Sequence, residues 1–169
     1  MGLSLSEVAL FGILGGLTFA LKLALAGLAN IEPVSLMVML FAVTFGRKAL
    51  YPIYVYALLE VLVFGVGLWN IYYLYIWLIL AAGAWLLRRE THPLAWALLS
   101  GGFGLLFGLF CAPVDAVIGG WGYAMARWVS GIPFDLLHCA GNFVIALGLF
   151  TPLRRLMERL YQAIKRGRQ

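Results

Sequence analysis

Asp135, His138 and Asn142 are the residues best placed to do chemistry, standing in an otherwise apolar stretch, GIPFDLLHCAGNFVIALGLF, over 131–150. Spacings of three and seven put a carboxylate, an imidazole and an amide on one face of a helix. Such groups could fix the hydrogen-bonding edges of a small polar ligand. Asp135 with His138 could alternatively serve as the acid–base pair of a small membrane enzyme. Their i, i+3 spacing would also suit a metal, but no third ligand is evident and no CxxC or Cys/His cluster occurs, so neither metal nor cofactor is expected. No GxSxG elbow or GxxxxGK[ST] phosphate loop is present either.

The elements that must position these groups follow from composition. Of 169 residues, 64% are apolar and 11% charged, and the mean hydropathy is +0.98. A soluble domain carries roughly 25% charged residues, so an ordinary globule is excluded. The apolar runs are too long and continuous for the alternating strands of a barrel. The expected fold class is therefore all-α, a polytopic integral membrane protein with a six-helix transmembrane bundle over 1–150. Residues 151–169 are expected to form a basic amphipathic cytoplasmic tail. Cys111 and Cys139 read as buried free thiols. Ala24-Leu25-Ala26 mimics a signal-peptidase site, but no basic residue precedes the run and Lys22 interrupts it, so the first segment is expected to remain.

Hydropathy places segments at about 6–29, 34–45, 49–65, 69–87, 94–114 and 133–150. The second is short against the ~20 residues that a bilayer core requires. Arg47, Lys48, Arg88, Arg89 and six basic residues of the tail fall on one side, and Arg127 alone on the other. This bias predicts cytoplasmic N- and C-termini. The net charge of +5 then reflects topology and contact with lipid head groups, not nucleic acid. Polar chemistry gathers at the opposite, outer end: Asn30, Glu32, Glu60, Trp69, Asn70, Asp115, Arg127, Asp135, His138 and Asn142.

Lys22 and Glu60 lie about 10 Å below the outer ends of their helices at 1.5 Å per residue, so they can pair. Asn70, Tyr73 and Trp77 share a face that could stack and hydrogen-bond a flat heterocycle. Tyr51, Tyr54 and Tyr56 read as interfacial and packing residues. Gly12, Gly16, Ala20 and Ala24 form a small-residue stripe that suits close helix approach, inside the bundle or to a second subunit. Ser100, Gly104, Gly108 and Ala112 form another, expected to pack internally. The stretches 27–33 and 113–132 read as outer loops. Thr151 and Pro152 read as the start of a new helix, with an apolar stripe of Leu153, Leu156, Met157, Leu160 and Ile164.

Six short helices, a small-residue stripe on the first and a polar outer end together resemble the substrate-binding (S) component of energy-coupling-factor (ECF-type) vitamin transporters of bacteria. Asn30-Ile31-Glu32-Pro33-Val34-Ser35-Leu36 and the 131–150 stretch carry the likeness, which spans essentially the whole chain through loose motifs. The family's Ala-x-x-x-Ala docking motif is matched by Ala20-Leu21-Lys22-Leu23-Ala24, with an unexpected Lys inside it, and Gly16–Ala20 offers a second register. The resemblance implies a protein of the bacterial plasma membrane that transports rather than catalyses. It would bind a vitamin-like micronutrient, dock on a membrane coupling subunit carrying two ATPases, and topple to release its cargo inside. The expected substrate contacts are Asn30, Glu32, Glu60, Trp69, Asn70, Tyr73, Asp135, His138 and Asn142, and the expected docking residues Gly12, Gly16, Ala20 and Ala24. The early His expected of nickel or cobalt members is missing from Met1-Gly2-Leu3-Ser4. A purely structural membrane protein is the remaining alternative.

Overall fold

The computed structural model describes residues 2–28 and 32–166, and among them there are helices and connecting turns but no strand. In chain order the helices are α1 (Leu5–Ala24), α2 (Val34–Phe45), α3 (Leu50–Phe64), α4 (Leu68–Tyr73), α5 (Ile76–Leu86), α6 (Pro93–Leu105) and α7 (Phe107–Arg166). A 3-10 turn, Gly46–Ala49, joins α2 to α3. Four stretches are long and apolar enough to cross a membrane: Leu5–Ala24, Val34–Phe64, Leu68–Leu86 and Pro93–Arg166. That is consistent with a membrane location, and dozens of large apolar side chains, such as Ile13, Leu62, Leu86 and Val144, face outward.

Local chemistry explains the boundaries. Ser4 opens α1 with a capping box, its hydroxyl accepting from the Glu7 N–H while the Glu7 carboxylate accepts from the Ser4 N–H. Pro93 occupies the first turn of α6. Positive φ at Gly46 and Gly65 ends α2 and α3, a conformation that side chains with a Cβ rarely adopt. Among the Gly-rich outer residues, Gly120 has φ +81 and breaks α7 into two arms, 107–119 and 121–166.

Helix α2 is the hub. It spans the expected residues, and Val34, Val38, Met39, Leu40 and Phe41 are at most 1% exposed. Its neighbours are chiefly α5, α7 and the 46–49 turn. Twelve residues make only about 18 Å of helix, but a helix surrounded by protein need not match the thickness of the lipid. The fifth and sixth apolar segments pack antiparallel along the Gly101, Gly104 and Gly108 edge. A Cβ built on Gly104 would lie 2.8 Å from the backbone of His138, and one on Gly101 would lie 3.2 Å from the Phe143 Cβ. This second stripe is therefore an internal packing seam, as expected.

Several expectations are corrected. The fourth segment is two helices, interrupted at Leu74 and Tyr75, and the Tyr54 hydroxyl donates to the Leu74 carbonyl exposed by the break at 2.7 Å. Residues 113–132 are helical apart from the break at Gly120, so no long outer loop exists there and neither Gly131 nor Pro133 opens a segment. No new helix begins at Thr151, because α7 runs through Thr151 and Pro152. The tail does not simply lie on a surface. Met157 and Tyr161 are buried against the bundle, Tyr161 meeting Phe45 edge-on at 4.9 Å, whereas Leu156 and Leu160 stay exposed. Finally, α1 packs on α3 through Phe11, Gly15, Thr18 and Phe19, with Gly15 against Val55 and Pro52. The stripe of Gly12, Gly16, Ala20 and Ala24 turns away from this contact: Gly12, Ala20 and Ala24 are exposed, and among the described residues nothing lies within 4 Å of a Cβ on Gly12 or Gly16.

Candidate functional site

Ion pairs tie the helices together at two opposite ends. At one, Lys48 of the α2–α3 turn reaches Glu7 of α1 at 2.6 Å, and the Tyr161 hydroxyl donates to the same carboxylate at 3.0 Å. Arg154 there donates to the Arg88 and Glu90 carbonyls. At the other, Lys22 near the end of α1 pairs with Glu60 near the end of α3 at 2.8 Å, the pairing that helix length had suggested.

A cavity of about 660 Å³ opens at this second end. Each helix contributes by periodicity. Lys22 comes from α1, Glu60 and Phe64 from α3, and Trp69, Tyr72 and Tyr73 from α4. The first arm of α7 adds Phe107, Gly108, Cys111 and Asp115 at turn spacing, and the second arm adds Arg127, Trp128 and Gly131. The deep wall is formed by Lys22, Glu60 and Tyr73, with Lys22 Nζ also donating to the Tyr73 hydroxyl at 3.2 Å and lying over its ring at 5.3 Å. The mouth carries a separate set: the Tyr72 hydroxyl donates to Asp115 at 2.5 Å, and Arg127 lies 3.6 Å from the other Asp115 oxygen.

Behind the deep wall, aromatic rings and polar atoms alternate. Tyr56, Tyr73 and Trp77 pack mutually at 5.2–6.1 Å, Trp77 meets Phe107, and Phe107 meets His138 at 5.1 Å. Buried here without a hydrogen-bond partner among the described residues are Glu60 Oε1, the Tyr56 hydroxyl, Trp77 Nε1 and His138 Nε2. His138 Nε2 comes no closer than 3.8 Å to Glu32. Glu32 sits in the α1–α2 connection, where burial raises its carboxyl pKa and attraction to Lys22 partly opposes this. An orphaned buried polar group costs about 1–3 kcal/mol, so four together mark a region that is incomplete as it stands.

The expected site residues divide accordingly. Glu32, Glu60, Tyr73 and His138 are brought together around the deep end, and Trp69 stands half exposed at the mouth. Asn142 is buried about one turn below His138, where its Nδ2 donates to Ser35 Oγ at 3.0 Å and to the Ser100 carbonyl at 3.3 Å, with Oδ1 unpartnered. Asp135 turns to the backbone: its carboxylate accepts from the Gly108 N–H at 3.2 Å, capping the first turn of α7. Asn70 is also a cap, accepting from the Gly67 N–H at 2.6 Å. Asn30 lies outside the described residues.

Tyr56, Tyr72, Cys111, Asp115 and Arg127 were not among the expected contacts. Tyr56, read as an interfacial or packing residue, is fully buried and packs in the core. Its signal was the i, i+4 spacing to Glu60. Asp115 and Arg127 flank Gly119-Gly120 in sequence, and a hairpin apex at that pair would have brought them face to face. Cys111 and Cys139 are free thiols. No protein family, curated protein or solved structure matches this chain.

Proposed function

We propose that this chain is the substrate-binding component of an ECF-type transporter, capturing a vitamin-like micronutrient at the outer face of the bacterial plasma membrane. The observation that carries the reading is the cavity at the Lys22–Glu60 end, where aromatic walls surround buried donors and acceptors left without partners. A pocket of several hundred Å³, mostly apolar with a few convergent polar groups, suits one small heterocyclic molecule.

Two further features support it. The ends of α1, α2, α3 and the later helices alternate between the Glu7–Lys48 and Lys22–Glu60 ends, which favours six passes. The concentration of Lys and Arg at the first of these supports the reading that both termini are cytoplasmic. On α1 the outward stripe of Gly12, Gly16, Ala20 and Ala24 offers a close-packing face to a membrane coupling subunit, with ATP hydrolysed by two further subunits. An acid–base enzyme is less well supported, because Asp135 is held by the Gly108 N–H.

The test is native mass spectrometry of the detergent-purified protein, with small molecules identified after denaturation, alongside affinity purification from its native host. A stoichiometric micronutrient and a co-purifying ATPase pair are expected. An empty protein that brings down no ATPase overturns the reading.

A further inference from the structure

The polar groups around the cavity are not equally satisfied along its depth. At the mouth Asp115 faces Arg127, one anion to one cation. At the deep end Lys22 pairs with Glu60 at 2.8 Å, and a second carboxyl, Glu32, lies 3.8 Å from His138. Glu60 lines the cavity; Lys22 occupies only its Oε2, while Oε1 is buried and accepts nothing among the described residues. The Glu60 side chain is 5% exposed, so water is a poor substitute partner. His138 Nε2, likewise buried and unpartnered, stops 3.8 Å from Glu32, beyond hydrogen-bond reach. Tyr73 and Phe107 line the cavity here, and aromatic rings in this corner attract positive charge, as Lys22 Nζ over the Tyr56 and Tyr73 rings shows.

We propose that the deep end of the cavity takes the cationic N–H group of a planar aromatic ligand, held by the unpartnered Glu60 Oε1. The ligand is of the amidinium, aminopyrimidinium or protonated-amine class. Its ring lies against Tyr73 and Phe107, and the rest of the molecule points towards Trp69, Trp128 and the Asp115–Arg127 pair. An anion at the same place would meet the Glu60 carboxylate. A neutral amide could donate to Glu60 but without the charge that strengthens such a bond. This inference rests on the cavity being the substrate site and adds the charge of the cargo.

Three isosteric probes separate the possibilities: benzamidine (cation), benzamide (neutral) and benzoate (anion). Each is titrated into the detergent-purified full-length protein by calorimetry and thermal shift. Benzamidine is expected to raise Tm and to bind about tenfold or more tightly than benzamide, the difference between a charge-assisted and a neutral hydrogen bond. Benzoate is expected not to bind. Glu60→Gln should abolish the preference for benzamidine over benzamide, and Glu158→Gln, at the far end of the molecule, should retain it. Equal binding of all three, no binding of any, or an unchanged preference in Glu60→Gln overturns the proposal. Failure of the transport reading looks different. A neutral or anionic cargo in the native mass spectrum sinks the cation assignment and leaves capture standing. Benzamidine selectivity in a protein that brings down no ATPase leaves the cation site standing without transport.

Discussion

Two buried Glu–Lys pairs lie at opposite ends of this bundle, and they differ in how fully they are satisfied. Glu7, 1% exposed, receives Lys48 Nζ, the Tyr161 hydroxyl and the Ser4 N–H, from the α2–α3 turn, the tail and its own helix cap. Glu60, 4% exposed, receives Lys22 on one oxygen and nothing on the other, and a cavity adjoins it. The same pair of residue types thus does two jobs. Where neighbouring segments complete the carboxylate, it fastens chain ends together. Where they leave it half complete in an apolar setting, it is poised for something the chain itself does not supply. Burial alone does not separate the two cases; the count of unmet hydrogen bonds does.

The largest effect should come from the seam that shapes the cavity wall. Gly104→Ala puts a methyl 2.8–2.9 Å from three backbone atoms of His138 and Cys139, which cannot swing aside as a side-chain tip could. The two antiparallel segments must separate, at an expected cost of about 3 kcal/mol, the upper range for overpacking. A fall in Tm with simultaneous loss of bound ligand is the expected result, since His138 moves with the seam. An unchanged Tm would mean that the seam is looser than its geometry implies.

Next is Glu7→Gln, which keeps the shape but removes the charge that Lys48 and Tyr161 share. Hydrogen bonds to a charged group contribute about 1.5–3 kcal/mol, and Lys48 is partly exposed and can turn to water, so a loss of about 2 kcal/mol is expected. The tail should loosen first. Hydrogen exchange over 153–166 should quicken while the cavity end stays protected, and binding of any ligand should persist. Equal loosening at both ends would show that the ends are mechanically coupled and would weaken the division of labour between them.

Much of this arrangement was legible in the sequence, and the reasons for what was not are physical. The bounds of α2 were legible because Pro33 and Gly46 flank a run that is apolar except for Ser35 and Thr44. The Lys22–Glu60 pair followed from rise per residue alone. The course of α7 was hidden because Gly and Pro usually signal loops, yet Pro133 and Pro152 are carried within a helix and only Gly120 turns the chain. The stripes on α1 and α6 look alike in sequence, but one is sealed against His138 and the other faces outward. Which glycine edge a neighbour covers is decided by tertiary packing. Asp135 illustrates the same limit. Its residue type and spacing suggested ligand chemistry, and its partner turned out to be a backbone N–H twenty-seven residues away.

The smallest expected change in stability is also the sharpest test of the comparison. Glu60→Gln is chemically the same substitution as Glu7→Gln, one nitrogen for one oxygen at a buried carboxylate. At Glu7 it removes a charge that is fully used. At Glu60 it removes one that meets a single donor, and the glutamine Oε1 can still accept from Lys22. Breaking a buried pair is costly mainly when it strands an uncompensated charge, and Lys22 is partly exposed, beside the cavity. The apo protein should therefore lose about 1 kcal/mol, the net worth of one hydrogen bond, against about 2 kcal/mol for Glu7→Gln. Thermal denaturation of the two variants side by side, stripped of ligand, measures this difference. Equal destabilisation would place Glu60 with Glu7 as a structural fastener and remove the reason for regarding the cavity end as unfinished.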